Sequence, residues 1–115
     1  MCHVLIIEDE PLIALLIEMV LEEAGATSWD IAVTQEGAIE AALAHPPDVI
    51  TSDVRLIEGT GPLAVAAICA RLGERPVIYI TANPEACEPR MEASTIIVKP
   101  IDVAMLIRTF SELRA

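Results

Sequence analysis

A chain of 115 residues with 18 Asp and Glu against 7 Lys and Arg has a formal net charge of −11, which excludes binding to nucleic acid by phosphate neutralisation through a basic patch. The length suits one compact domain with one core, and a content of 54% hydrophobic but only 3% aromatic residues means a core of Ala, Val, Leu and Ile. The longest apolar run, Leu12 to Ile17, stops at Glu18; that is too short to span a bilayer, and no basic stretch leads into an apolar one as a signal peptide requires.

The first predicted strand is Val4–Ile7 within HVLIIEDEP, and it ends on three consecutive acids, Glu8, Asp9 and Glu10. Pro11 suits the first turn of a helix running to about Ala24, with Gly25 as its C′ residue. Trp29–Val33, interrupted by Asp30, reads as an exposed edge strand. Thr34 is placed to cap a helix through Ala44, which His45-Pro46-Pro47 ends. The third strand, Val49 through Ser52, leads into Asp53. Pro62 begins a helix closed by Gly73. Val77–Ile80 is the fourth strand, followed by Thr81 and a short helical segment burdened by Pro84 and Pro89. Thr95–Val98 is the fifth and leads into Lys99. Asp102 is placed to cap a last helix, in which Val103, Leu106, Ile107, Phe110 and Leu113 share one face.

Apart from Trp29–Val33, the strands are β-branched and continuous rather than alternating, as in a parallel sheet covered on both sides. Their alternation with helices predicts a doubly wound α/β domain over residues 1–115, with no linker or internal repeat. In such a sheet the C-terminal strand ends share one edge, where ligands bind. Glu8, Asp9, Asp53, Thr81 and Lys99 should therefore converge there. Clustered carboxylates raise one another's pKa unless a cation sits among them, and Mg²⁺ suits hard oxygen donors. A carboxylate beside it is able to attack a phosphoryl group and form an acyl phosphate. An ammonium and a hydroxyl would then stabilise the phosphoryl oxygens. On this reading Glu8 and Asp9 hold metal, Asp53 accepts phosphate, Lys99 pairs with it and Thr81 reports it.

These residues lie in LIIEDEP, VITSDV, VIYITA and IIVKPI, and the sequence resembles the receiver domain of two-component response regulators over essentially its whole length. The resemblance implies a flavodoxin-like sheet of five parallel strands in the order 2-1-3-4-5, flanked by five helices. It also implies a Mg²⁺ ligand in the backbone carbonyl of Arg55 and a cis Lys99–Pro100 bond. The implied function is that of a phosphoacceptor in a histidine-to-aspartate phosphorelay. Its partners would be a histidine kinase or histidine phosphotransfer protein and a downstream protein. It would be a cytoplasmic bacterial phosphoprotein, a monomer or weak dimer, and no enzyme beyond its own phosphorylation and slow dephosphorylation.

The sequence departs from that family at Ile96, where most receivers have an aromatic residue, and at Ile57, where many have a proline, although Gly61 keeps the turn after the acceptor. The interval from Thr81 to Lys99 is short, so the fourth helix should be short or irregular. The ITANPE stretch resembles receivers of bacterial general-stress-response systems. A haloacid-dehalogenase-type phosphatase would need an Asp-x-Asp motif after the first strand, which Glu8-Asp9-Glu10 does not supply. A flavodoxin-like cofactor binder would need a phosphate loop there, and a degenerate docking receiver would not keep the full acidic set. Glu10 reads as a helix-start residue, and His3 and His45 as residues without catalytic partners. Cys2, Cys69 and Cys87 read as reduced thiols, and the adjacent Cys2–His3 pair lacks distant metal ligands. The chain ends soon after the last helix, so output is expected through a partner or through a region beyond Ala115.

Overall fold

The computed structural model describes residues 1–114, and Ala115 lies outside them. Five strands, β1 (His3–Ile7), β2 (Ser28–Ala32), β3 (Val49–Ser52), β4 (Val77–Thr81) and β5 (Thr95–Val98), form one sheet in the order β2-β1-β3-β4-β5. Every pairing is parallel, with Val4 opposite Trp29 and Val49, and Ile78 opposite Thr51 and Thr95. Four helices connect and flank the strands: α1 (Pro11–Glu23), α2 (Gln35–Ala44), α3 (Gly61–Leu72) and α4 (Val103–Arg114).

The unbroken apolar run of β1 has a direct structural reason. Successive side chains point to opposite faces, and both faces are covered. Val4 and Ile6 join Ile17 and Leu21 of α1 and Leu106 and Phe110 of α4 in one core layer. Leu5 and Ile7 join Ala38 and Ala42 of α2 and Val65 and Ile68 of α3 in the other. Each fully buried Leu or Ile contributes about 1.5–3 kcal/mol relative to exposure. Ala38 and Ala42, one turn apart and fully buried, allow α2 to approach the sheet closely. β2 is the edge strand that the interrupting Asp30 indicated, and Ile31 on it is largely exposed. The central Thr51 is a local cost, because its buried hydroxyl has no hydrogen-bond partner.

The helix ends follow their capping residues. Ala26 N–H donates to Leu21 O and Gly25 N–H to Glu22 O, a Schellman closure of α1 made possible by Gly25 at φ 114°. The Thr34 hydroxyl accepts from Gly37 N–H, the Thr60 hydroxyl from Leu63 N–H, and the Asp102 carboxylate from Met105 N–H. Among the predicted apolar face of α4, Leu106 and Phe110 are buried and Ile107 and Leu113 pack partly against the core, but Val103 is exposed.

The expected fourth helix is a single 3-10 turn, Pro84–Ala86, so four helices rather than five flank the sheet. Pro84 starts that turn, and the pyrrolidine of Pro89 bars helix from continuing through the segment. The peptide bonds preceding Pro89 and Pro100 are both cis; the second was expected and the first was not. No helix among the described residues is long and apolar enough to cross a membrane.

Candidate functional site

β1, β3 and β5 each continue their ladder by one residue at the C-terminal edge of the sheet. Glu8 N–H donates to Ala32 O, Asp53 N–H to Ile7 O and Lys99 N–H to Thr81 O, each at 2.9 Å. The backbones of three candidate residues are thus held by the sheet itself, and their side chains meet. Lys99 Nζ lies 2.9 Å from Asp53 Oδ2 and 3.1 Å from Glu8 Oε1. The other Asp53 oxygen, Oδ1, accepts from Val54 N–H at 2.7 Å, and Glu8 Oε2 accepts from Glu10 N–H at 3.1 Å. Glu8 is 1% exposed and Asp53 8%, so this ion-paired triad is shielded from bulk screening.

Burial pushes the Glu8 carboxyl above its ordinary range, although the Glu10 N–H and Lys99 pull the other way. For Lys99 burial also opposes charge, but the hydrogen bonds to Asp53 and Glu8 outweigh it and hold the ammonium above its ordinary value. The two partners of one ion pair differ because a single ammonium serves two carboxylates. Lys99 gains from both, whereas Glu8 shares its cation and is the more deeply buried.

One carboxylate oxygen from each of Glu8, Asp9, Glu10 and Asp53 lies within 4.8 Å of the others. A lone ammonium cannot balance four such groups, and oxygen-only donors at this spacing fit Mg²⁺. Glu10 was read as a helix-start residue without a part in the cluster. It is indeed the N-cap of α1, but its side chain caps nothing and its carboxylate joins the acidic group. The available signal was the residue type: Ser, Thr, Asp and Asn are the side chains that cap a helix N-terminus, and Glu is not among them.

Thr81 ends β4 fully buried, and its hydroxyl accepts from Asn83 N–H at 2.9 Å rather than bonding Lys99 or Asp53. Arg55 is exposed on the loop after Asp53, where its backbone bridges Thr60. That loop is anchored by residues the sequence reading did not single out. Gln35 N–H donates to Glu58 O, and Gln35 Oε1 accepts from Thr60 N–H, both at 3.0 Å. Gly59 supplies the positive φ, 80°, that the turn requires. Gly61 has a different role: a Cβ there would lie 1.8 Å from Asp53 O and 2.1 Å from Ser52 Oγ. Its lack of a side chain lets α3 start directly against Asp53. Ile96 packs partly buried against the second core layer, level with Tyr79 on β4.

Residues 4–111 match the family model of the response regulator receiver domain. The Phyllosphere-induced regulator PhyR of Methylorubrum extorquens is 35% identical over 113 residues, which is 96% of this chain and 42% of that protein. The chain therefore spans less than half the length of that relative. Among solved structures, the response regulator REC domain of Erythrobacter litoralis PhyR matches with a TM-score of 0.87 and 33% identity, over 97% of this chain and 88% of that one. The receiver domain of the sensor histidine kinase PA1611 from Pseudomonas aeruginosa matches with a TM-score of 0.85 and 26% identity, over 98% of this chain and 97% of that one. A magnesium ion is coordinated in the active-site cleft of the PA1611 domain.

Proposed function

The chain belongs to the response regulator receiver domain family, and on that premise we propose that it is a phosphoacceptor whose Asp53 takes a phosphoryl group from a histidine kinase or histidine phosphotransfer protein. The observation that carries this reading is the half-buried Lys99 bridge between the buried Asp53 and Glu8 at the edge of a four-carboxylate cluster. An Asp53 oxygen attacks phosphorus, the bond from phosphorus to the donor's imidazole nitrogen breaks, and the imidazole keeps the electron pair and takes up a proton. Lys99 then pairs with a phosphoryl oxygen, and the Thr81 hydroxyl, which accepts from Asn83 N–H, donates its own hydrogen to another. Glu8, Asp9 and Asp53, with the Arg55 carbonyl, would hold Mg²⁺. When bound, the metal supplies the positive charge that offsets the phosphoryl oxygens. Water attack on the acyl phosphate resets the site slowly, without turnover of any other substrate.

Residues next to the pocket suit a protein donor. α1 begins directly after the acidic residues and exposes Leu12, Leu15 and Met19 on one face, an apolar stripe on which a donor helix can rest. The three free cysteines suit the reducing cytoplasm. The phosphatase reading gains nothing, since the chain after β1 runs Glu8-Asp9-Glu10 and lacks the Asp-x-Asp that chemistry needs.

Incubation with acetyl phosphate and Mg²⁺, followed by intact-mass measurement, tests the assignment. Wild-type protein should gain one phosphoryl group that chelation of Mg²⁺ prevents. Asp53→Asn should gain none, and equal labelling of both proteins overturns the assignment.

A further inference from the structure

The acidic cluster holds a carboxylate that neither the helix cap nor the proposed phosphoryl transfer uses. Glu8 Oε1 pairs with Lys99 and Oε2 accepts from Glu10 N–H, while Asp53 Oδ2 pairs with Lys99 and Oδ1 accepts from Val54 N–H. Glu10 differs from both. It is exposed and its side chain makes no capping hydrogen bond, yet its carboxylate stands in one group with those of Glu8, Asp9 and Asp53. The backbone explains why. Proline disfavours helical geometry in the residue before it, and Glu10 is extended at φ −92° and ψ 111°. Glu8 Oε2 holds the Glu10 N–H at 3.1 Å, so the side chain leaves the chain beside the end of β1.

We infer that Glu10 is a further metal-holding residue: its carboxylate acts with those of Asp9 and Asp53 to retain the divalent cation of the phosphorylation site. The inference rests on the phosphoacceptor reading of Asp53 and adds a residue to its metal set. Lys99 is already shared between Glu8 and Asp53, which leaves the charges of Asp9 and Glu10 for a cation to offset. Mg²⁺ ordinarily takes one or two carboxylates directly and keeps several waters. An exposed acid at the rim, with no bond of its own to give up, is suited to accept from those waters. Outer partners of this kind typically change metal affinity by about 10–100-fold. The histidines offer no comparable set. His3 Nε2 and His45 Nδ1 close on the Asp30 Oδ2 atom at 3.0 and 3.4 Å, a hydrogen-bonded cluster that joins β1, β2 and α2. A glutamate before a helix also has a plainer role, as negative charge at the positive end of the helix. The two roles separate by experiment.

Mg²⁺ is titrated into metal-free, untagged protein while proton–nitrogen NMR follows the backbone amides at the strand ends. Melting temperatures of the metal-free proteins are measured alongside. Glu10→Gln should raise the Mg²⁺ dissociation constant about tenfold and leave the metal-free melting temperature unchanged. Glu23→Gln is the control: it removes the same charge from an exposed residue at the far end of α1, roughly 20 Å along the helix, where salt screens it from the site. Its affinity should equal that of wild type. Three results would overturn the inference. The first is wild-type affinity in Glu10→Gln, which with a lowered metal-free melting temperature would assign Glu10 to the helix start alone. The second is equal weakening in both variants, which would reduce the effect to overall charge. The third is a wild-type chain that binds no Mg²⁺, and only this one also removes the metal from the reading of Asp53. The first two leave that reading intact, because phosphoryl labelling of wild-type Asp53 is measured separately by mass.

Discussion

The chain connects parallel strands in two contrasting ways. Between β1 and β2 it forms α1, a helix of 13 residues with proline at its start, a glycine closure at its end and Ile17, Val20 and Leu21 in the core. Between β4 and β5 it makes only one 3-10 turn of 3 residues, none of them buried. Yet Lys99, which follows the irregular connection, is placed as firmly as Glu8, which precedes the regular one. The contrast teaches that strand ladders, not connecting helices, position this site. Lys99 N–H is held by Thr81 O whatever lies between them in sequence.

Substitutions in the two connections should separate these roles. Leu21→Ala, in the fully buried stripe of α1, should lower unfolding free energy by about 2–5 kcal/mol in denaturant titrations. Gly61→Ala places a methyl group on Asp53 O and should cost about 1–3 kcal/mol. It should also slow the proposed phosphorylation, because the clash falls on the backbone of Asp53. Stability equal to wild type would show that the loop relaxes without moving the site.

A pH series examines the triad itself. Because the folded pKa of Glu8 is raised above 4.5, its contribution is fully present below that pH and is lost as pH rises through the raised value. Melting temperatures of wild type should therefore carry a decline from pH 4.5 upward that Glu8→Gln lacks. The Lys99 contribution, with a folded pKa raised above 10.5, is lost only in strongly alkaline solution and leaves that window clear. Parallel pH profiles would remove burial of a charged Glu8 as the cause.

The smallest effect is expected in the irregular connection. Glu85→Ala in the 3-10 turn should change stability by less than about 0.5 kcal/mol and leave acetyl phosphate labelling intact. A loss comparable to that of Leu21→Ala would show that this segment supports the sheet after all.

Much of this was legible in the sequence because it is local. Continuous apolar runs marked four strands and the interrupted Trp29–Val33 segment the edge strand, Thr34, Asp102 and Gly25 marked helix boundaries, and the shortened interval after Thr81 marked the missing helix. The acidic pair, Asp53, Thr81 and Lys99 were legible because the end of a parallel strand is a defined place. Glu10 escaped because a residue before a helix-start proline has an adequate local role, and only the fold shows its carboxylate turned to the cluster. Gly61 was read as a turn glycine, whereas Gly59 makes the turn and Gly61 permits close approach. Gln35 and the His3–Asp30–His45 group gave no signal, since their partners lie 15 to 27 residues away on elements whose facing sides a linear pattern does not specify.

The sequence by itself determined the element order, the two-sided burial of the sheet and the residues that end each strand, because hydrophobic period, capping and proline chemistry act over a few residues. Tertiary structure alone decided which carboxylate oxygen faces Lys99, that the Thr81 hydroxyl turns to Asn83, and that two histidines share one aspartate. Those outcomes depend on side-chain directions across separate elements, which are set only once both faces of the sheet are packed.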